Sequence, residues 1–215
     1  MSFMVQSFSY YHLMVILWIL VISSGCTPSR QWEVVVYGAT PAGIIAAVTA
    51  ADHGKDVVLV EPFSVVGGMY SSGLNTAESE HMINDVITGR ARDFFVRLGE
   101  AYYDSAYFQT FGNGRGLHFK EGDPAFFFES KHAMALFEEM LAEAGVDMIS
   151  NAHLVGVRKR GSRITDIELS TGKSVSGIVF IDCSYEGDLM AGAGVSYTYG
   201  REPIDAYGES LAGVR

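Results

Sequence analysis

The segment from residue 33 to residue 61 constrains the fold of this chain more than any other. It begins with a short β-branched and aromatic run, Val34–Tyr37, which favours a buried strand. Gly38 interrupts this run, and Pro41 stands where a helix can begin, because its fixed φ suits the first helical turn. Small and apolar residues then continue to His53, as expected for a helix that packs closely on a sheet.

A second apolar run, residues 57–60, follows this helix and ends at Glu61. A strand, a glycine turn, a helix and a second strand within about 30 residues form the βαβ unit that binds dinucleotides. In such a unit Gly38 permits the tight turn and Gly43 allows close helix packing, while the helix N-terminus attracts a pyrophosphate. A carboxylate at Glu61 can accept hydrogen bonds from both ribose hydroxyls of an adenosine. The pattern predicts a dinucleotide site, and a βαβ unit without a ligand is the alternative.

Thr40 departs from the usual G-x-G-x-x-G spacing, because it stands where the second glycine is expected. Its Cβ crowds a bound diphosphate, but its hydroxyl can donate a hydrogen bond to the same group. The predicted dinucleotide contacts of this unit are six residues: Gly38, Thr40, Pro41, Ala42, Gly43 and Glu61.

Composition narrows the classes of function. With 215 residues and 48% hydrophobic content, the chain can bury one sizeable domain but is short for two. The formal net charge of -10 and the pI near 5.0 argue against nucleic acid, because contacts to its phosphates require a basic surface. The two cysteines form no C-x-x-C pair, so the sequence predicts neither a disulfide framework nor a C-x-x-C metal or redox site.

The first 25 residues contain no acidic or basic side chain other than one histidine. Their apolar core, residues 13–22, is short for a membrane span but fits the hydrophobic region of a signal peptide. Small residues then precede Cys26, in a pattern that resembles the lipobox of bacterial lipoproteins. We therefore expect residues 1–26 to direct export, with lipid attached at Cys26 and the protein at the periplasmic or outer surface of a bacterium. A plain cleaved signal and an uncleaved membrane anchor are the alternatives.

Paired glycines follow the acidic end of the second strand. Pro62 stops that strand, and Gly67, Gly68 and Met69 come shortly after it. Glycines at this distance from Glu61 predict a loop whose backbone closely approaches a ligand. A flexible turn without a ligand is the alternative.

These features together resemble a known family. They are similar to the FAD-dependent oxidoreductases of the glutathione-reductase-like superfamily, and within it to a bacterial secreted group often labelled xanthan lyase-like. In two places the chain departs from the group's pattern: Val65 replaces an arginine that many relatives carry, and Cys183-Ser184 replaces Ala-Thr. The resemblance is carried by Gly38–Gly43, Val60–Pro62, Gly67–Met69, Ser71–Leu74, Phe180–Leu189, Tyr199–Glu202 and Tyr207–Gly213.

The resemblance implies an α/β fold. This is a Rossmann-like FAD-binding domain over residues 27–215, with a parallel sheet, a helical insertion at about 63–130 and a small antiparallel β-meander at about 153–176. It also implies that FAD is bound without a covalent bond and that the backbone near Leu154 contacts the adenine. The family continues with a substrate domain, so we expect this chain to be an incomplete N-terminal part.

Hydrophobic periodicity predicts the elements of the insertion and the helix after it. Residues 81–102 are predicted as one or two amphipathic helices divided at Gly89. Residues 126–128 are predicted as a buried strand, and residues 131–144 as a helix capped by Ser130. The predicted inner face of this helix consists of Ala133, Leu136, Phe137, Met140 and Leu141.

The same pattern predicts the later strands. Residues 146–150 form the next parallel strand after a helix and a glycine. The meander is expected to contain three short strands, 153–159, 163–170 and 173–176. A separate parallel strand, 178–181, is expected to follow it.

Two acidic residues follow the last predicted strand. Asp182 and Asp188 lie where ligands bind in open α/β sheets, so they are candidates for contacts to flavin hydroxyls or for caps of the turn and the next helix. Cys183 is predicted to be a small core residue, not a redox thiol. His81 and His118 are predicted to be surface or packing residues, so no catalytic residue is identified.

The leading hypothesis is an exported FAD-dependent oxidoreductase that acts on an unidentified small molecule. An NAD-binding domain is the second possibility; NADP is disfavoured because Glu61 repels a 2′-phosphate. A non-catalytic, surface-anchored nucleotide-binding or interaction module is the third. On each reading, contact with a membrane is expected only through the N-terminal signal or lipid.

Overall fold

A mixed sheet of six strands forms the centre of the fold. The computed structural model describes residues 30–74, 86–102 and 121–211, and Gln31–Arg215 forms one compact unit. In chain order the strands are β1 (Gln31–Tyr37), β2 (Val57–Val60), β3 (Asp147–Ile149), β4 (Leu154–Arg160), β5 (Arg163–Leu169) and β6 (Ser174–Asp182). Across the sheet their order is β3-β2-β1-β6-β5-β4.

Helices follow several of the strands. Among the described residues they are α1 (Pro41–Asp52), α2 (Gly68–Ser71), α3 (Gly89–Glu100), α4 (Ser130–Glu143), α5 (Asp188–Gly192) and α6 (Ile204–Tyr207). The predicted βαβ unit is formed by β1, α1 and β2, with β1 parallel to β2. β3 is parallel to β2, and β6 is parallel to β1. β4, β5 and the start of β6 form the antiparallel meander. The predicted α/β fold is therefore confirmed.

β1 begins at Gln31, three residues before its predicted start. Gln31 and Trp32 pair with Ser176 and Gly177 of β6, so a neighbouring strand extends β1 beyond the apolar run visible in the sequence. Hydrogen bonding to a distant part of the chain sets this boundary, and local propensity does not reveal it.

From Val34 onward, β1 is buried on both faces, and so is the whole of β2, as strands between two covering layers require. Alternate residues of β1 and β2 point to opposite sides. Val36 and Leu59 lie in the apolar layer shared with α1, α3 and α4, whereas Val35 and Val58 lie in the layer shared with the meander and Leu189. The carboxyl ends of β1, β2 and β6 consequently meet at one edge of a rigid sheet.

The helical layer is held together by aromatic rings. Phe94 of α3 and Phe137 of α4 stack with their ring centroids 4.3 Å apart and 7° between the planes. Arg97 binds Glu139 and Glu143 across the same two helices. The inner face predicted for the helix after Ser130 is confirmed, because its five members are all buried: Ala133, Leu136, Phe137, Met140 and Leu141.

Two predictions near α4 are wrong. Residues 126–128 form no strand; Phe127 makes an isolated bridge, while the rings of Phe126 and Phe128 pack against Phe95 and Tyr70. Their apolar run therefore reflects aromatic packing. Ser130 is the first residue of α4 and not its cap, and its hydroxyl accepts a hydrogen bond from the amide of Gly73 at 3.1 Å.

The division between the third meander strand and the following parallel strand is also wrong. β6 is one continuous strand that pairs with β5 through its first three residues and with β1 along most of its length. Gly177 lies in its middle. A Cβ there would be 2.6 Å from Val35 Cγ2, so this glycine allows close packing and does not interrupt the strand.

Several predictions concern residues outside the described ranges. These are the signal segment 1–26 with Cys26, the histidines His81 and His118, and part of the expected insertion. In the part of the chain that is described, no helix has both the length and the apolar character needed to cross a bilayer.

The stacked ring of Phe137 is expected to dominate the stability of the helical layer. It is 1% exposed, so Phe137→Ala should lower the free energy of unfolding by about 3–5 kcal/mol, measured by urea denaturation. Phe63→Ala is the matched control, because Phe63 is 65% exposed and its loss should cost less than about 0.5 kcal/mol. Equal effects of the two changes would contradict this description of the core.

Candidate cofactor site

Gly38 makes the tight turn at the end of β1. Its φ is +95°, and its amide donates to Val60 O at 2.8 Å. A Cβ at this position would lie 2.7 Å from Ser184 N and 2.9 Å from Cys183 O, so a side chain would push the loop after β6 away. Gly38 thus brings the ends of three parallel strands together, as a dinucleotide-binding turn requires.

Gly43 brings α1 close to the same turn. A Cβ on Gly43 would be only 1.9 Å from Gly38 O, and 3.0 Å from the Cβ of Cys183. Any side chain at this position would therefore displace the start of the helix from the sheet. The half-buried Cys183 thiol has a raised pKa, because burial and then the Asp182 carboxylate disfavour the thiolate. This supports its predicted role as a small packing residue.

Thr40 is the N-cap of α1. Its hydroxyl oxygen accepts a hydrogen bond from Gly43 N at 3.2 Å and donates its proton to Cys183 O at 2.8 Å. Thr40 therefore ties the helix tip to the loop after β6, and its hydroxyl proton is directed to the protein backbone.

The tip of α1 retains two unused donors. Pro41 has no N–H, Gly43 N is used by Thr40, and Ile44 N donates to Thr40 O. Within the described part of the chain, the amides of Thr40 and Ala42 have no hydrogen-bond acceptor. Two amides at the N-terminus of a twelve-residue helix provide hydrogen bonds and a partial positive charge for an anion.

Glu61 lies beside this helix tip and is only 6% exposed. Its Oε2 accepts a hydrogen bond from Ala39 N at 2.5 Å, and its Oε1 accepts one from Phe63 N at 3.0 Å. Hydrogen bonds to a carboxylate are among the stronger ones in proteins, so they compensate its burial. Each oxygen has a second lone pair, and the carboxylate can therefore accept further hydrogen bonds from sugar hydroxyls.

The paired glycines after β2 have positive φ angles, +93° at Gly67 and +49° at Gly68. The space of their missing side chains is filled by the protein itself. A Cβ on Gly67 would be 2.1 Å from the hydroxyl oxygen of Ser71, and one on Gly68 would be 2.3 Å from the hydroxyl of Tyr185. Among the described residues, the buried Ser71 hydroxyl has no hydrogen-bond partner.

Tyr185 was not identified from the sequence. Its hydroxyl accepts a hydrogen bond from Met69 N at 2.9 Å, so it joins the loop of paired glycines to the loop after β6. A tyrosine between Asp182 and Asp188 was the available signal. The pairing itself spans 116 residues of sequence and has no local signature.

Asp182 is a capping residue. Its Oδ1 accepts hydrogen bonds from Ser184 N at 3.0 Å and Ser184 Oγ at 2.7 Å, and its Oδ2 accepts one from Met190 N at 2.7 Å. The sequence offered two roles for Asp182, a flavin contact and a cap. These hydrogen bonds are those of a cap. Asp188 begins α5, and its amide donates to Ser184 Oγ at 3.1 Å.

The buried phenol of Tyr37 lies near the predicted carboxylates. Its oxygen accepts a hydrogen bond from Leu154 N at 3.0 Å. Burial raises the pKa of Tyr37; the Leu154 N–H lowers it, and the carboxylates of Asp188, Glu61 and Asp182 raise it further. The structure thus brings the glycine turn, these acids and the start of β4 to one edge of the sheet. The described residues contain no cluster of three or more His, Cys, Asp or Glu side chains suited to a metal ion.

The chain is similar to known flavoproteins in sequence and in fold. A family model described as FAD dependent oxidoreductase matches residues 33–214 of the chain. A soluble pyridine nucleotide transhydrogenase of Hahella chejuensis (strain KCTC 2396) is 36% identical over 72 residues, which are 33% of this chain and 16% of that protein. The transhydrogenase of Marinomonas sp. (strain MWYL1) is 37% identical over 75 residues, 34% of this chain and 16% of that protein.

Solved structures share the fold. L-proline dehydrogenase from P. horikoshii superimposes with a TM-score of 0.55 at 16% identity, covering 81% of this chain and 59% of that chain. A Diels-Alderase of pyrroindomycin biosynthesis gives a TM-score of 0.52 at 18% identity, covering 80% of this chain and 36% of that chain. The chain thus spans well under two thirds of these proteins, and at such identities the likeness concerns the fold alone.

Removal of the Thr40 hydroxyl should loosen the helix tip. Thr40→Val eliminates both hydrogen bonds and should lower the free energy of unfolding by about 1–2 kcal/mol, measured by urea denaturation. Thr40→Ser keeps the hydroxyl and should lose less than half of that amount. A valine variant that is as stable as the serine variant would contradict this role of the hydroxyl.

Proposed function

This chain belongs to the FAD-dependent oxidoreductases, and we propose that it binds the ADP half of FAD at the carboxyl edge of its parallel strands. FAD is the cofactor of this family. One observation carries the proposal for the site: the amides of Thr40 and Ala42 lie at a helix tip beside the buried carboxylate of Glu61. Such an arrangement suits an anionic diphosphate joined to a sugar.

The tip of α1 binds the diphosphate. The amides of Thr40 and Ala42 donate to its oxygens, and the helix dipole adds a favourable charge interaction. Gly38 and Gly43 keep side chains out of the turn, so that α1 stays close to the sheet. Bound FAD supplies the redox chemistry, while the protein supplies binding and orientation.

Glu61 binds the ribose of the adenosine. Its remaining lone pairs accept hydrogen bonds from the 2′ and 3′ hydroxyls. The amides of Ala39 and Phe63 keep the carboxylate oriented toward the turn. This charge would repel a 2′-phosphate, which disfavours NADP at the same position. Pro62 ends the strand, and Leu154 begins the meander on the adenine side.

The loops after β2 and β6 continue the site toward the flavin. Gly67, Gly68 and Met69 lie in the first loop, and Asp182 and Asp188 flank the second. Tyr185 joins the two loops through Met69 N. Asp182 acts by holding the second loop in shape, and Asp188 presents its exposed carboxylate at the start of α5.

The activity of the whole protein is an oxidoreduction of a small molecule. The aligned region covers 16% of each transhydrogenase and 59% of the proline dehydrogenase, and we assign neither a substrate nor an electron acceptor to it. An NAD-binding domain would use the same diphosphate and ribose contacts. A non-catalytic nucleotide-binding or interaction module would bind neither dinucleotide productively.

A visible absorption spectrum tests the FAD site. Residues 27–215, purified or mixed with FAD, should show flavin bands that stay with the protein on gel filtration. Glu61→Ala removes two ribose contacts and should raise the Kd for FAD by about 10- to 100-fold in a fluorescence titration.

Glu33→Ala is the matched control. Glu33 also accepts a backbone hydrogen bond, from Asp56 N at 3.0 Å, but it lies near the amino end of β1, so FAD affinity should not change. Binding of NAD but not FAD would favour the second possibility. A protein that binds neither dinucleotide would favour the non-catalytic interaction module. An unchanged Kd for FAD in Glu61→Ala would show that Glu61 does not bind the ribose.

We also propose that the N-terminal segment exports the protein and that Cys26 carries the lipid. In a bacterial host, Cys26→Ser should abolish incorporation of labelled palmitate and release the protein from the membrane fraction, because the lipidated residue is lost. Cys183→Ser removes the other cysteine and should leave both properties unchanged. Unlabelled wild-type protein of reduced mass would instead indicate a plain cleaved signal, and unlabelled full-length protein in the membrane would indicate an uncleaved anchor.

A further inference from the structure

We propose that Tyr37 positions the adenine end of the cofactor site by holding the start of β4 against the end of β1. This inference rests on the proposed function, because it concerns the base attached to the ribose that Glu61 binds. Tyr37 acts through Leu154 and is a positioning residue.

The hydrogen bond between Tyr37 and Leu154 joins two distant parts of the chain. Tyr37 is the last residue of β1, directly before the turn at Gly38, and it is 1% exposed. Leu154 is the first residue of β4, which pairs with β5 and lies at the edge of the sheet. The phenol oxygen accepts Leu154 N at 3.0 Å across 117 residues of sequence. The amide therefore finds its partner on a side chain from β1.

The chain just before Leu154 is tied to the ribose side of the site. Ala152 N donates to Glu61 O, and Asn151 N donates to Phe63 O, each at 3.0 Å. Asn151 has a positive φ of 56°, which turns the chain from β3 toward β4. A base attached to a ribose at Glu61 therefore lies within reach of residues 151–154.

Of these three hydrogen bonds, the one to the Tyr37 phenol is the one that a side-chain substitution can remove. The bonds to Ala152 and Asn151 join backbone atoms, whereas the bond to Leu154 depends on one side-chain oxygen. Burial and the nearby carboxylates raise the pKa of Tyr37, so at neutral pH it is a neutral hydroxyl that accepts the amide. Phenylalanine would fill the same space but would leave the Leu154 amide without this acceptor.

A purely structural tyrosine would make a different prediction. If Tyr37 only stabilised the fold, its loss would weaken the binding of all nucleotides equally. If it sets the position of the β4 backbone against the base, its loss weakens discrimination between bases. The diphosphate and the ribose would still be bound by the helix tip and Glu61.

The test compares ADP with inosine 5′-diphosphate, whose base has an oxo group in place of the 6-amino group and a proton on N1. Their Kd values are measured by calorimetry for the 215-residue chain and for Tyr37→Phe. We expect wild-type protein to prefer ADP and the preference to fall about fivefold in Tyr37→Phe, the effect of about one hydrogen bond. Ser170→Ala is the matched control: its hydroxyl accepts His153 N at 3.1 Å, while the backbone bond between the same residues remains. It should keep the wild-type preference.

A second variant removes the same bond from the other side. Leu154→Pro eliminates the donor, and proline is tolerated at the first residue of an edge strand. The double variant should lose no more preference than Tyr37→Phe alone, because both changes break one interaction. An unchanged preference in Tyr37→Phe, no preference in wild-type protein, or fully additive losses would overturn the inference alone. Failure of wild-type protein to bind ADP would overturn the proposed function first.

Discussion

The hydrogen bond from Ala39 N to the Glu61 carboxylate is the contact on which the candidate site depends. It joins the turn after β1 to the end of β2, and it fixes a charged group in a position that is only 6% exposed. Without that acceptor, the turn would have a buried donor and the carboxylate would lose one of its two backbone partners. The helix tip and the acid that we propose to bind the diphosphate and the ribose are therefore parts of one hydrogen-bonded unit.

Close backbone contacts around this unit explain its glycines. Gly43 leaves room for Gly38 O, and Gly38 leaves room for the chain after β6. Thr40 is accepted in place of the second glycine because its hydroxyl bonds the protein on both sides, to Gly43 N and Cys183 O. A glycine at this position would let a cofactor come closer to the backbone. Threonine instead links the helix tip to the loop after β6 through these two hydrogen bonds. In the proposed complex, the amides of the helix tip and not the threonine side chain bind the diphosphate.

The sequence predicted those parts of the site that depend on neighbouring residues. The strand before Gly38, the helix beginning at Pro41 and the acid at Glu61 follow from local periodicity and turn chemistry, and the inner face of α4 follows from helical spacing. Contacts between distant residues were not predictable in this way. Tyr37 and Tyr185 form hydrogen bonds with residues more than 110 positions away. Gly177 was predicted to separate two strands, because its close contact with Val35 has no signature in the local sequence. Local patterns thus predicted most of the fold but few of the long-range contacts that hold its loops in place.

The most direct test of the central claim is the response of individual amides to ADP. In ¹⁵N–¹H spectra of the labelled protein, the account predicts the largest shifts on ADP addition at the amides of Thr40 and Ala42, with smaller shifts around Glu61. Saturable binding of ADP that leaves the Thr40 and Ala42 signals unmoved and shifts another region of the protein would contradict it.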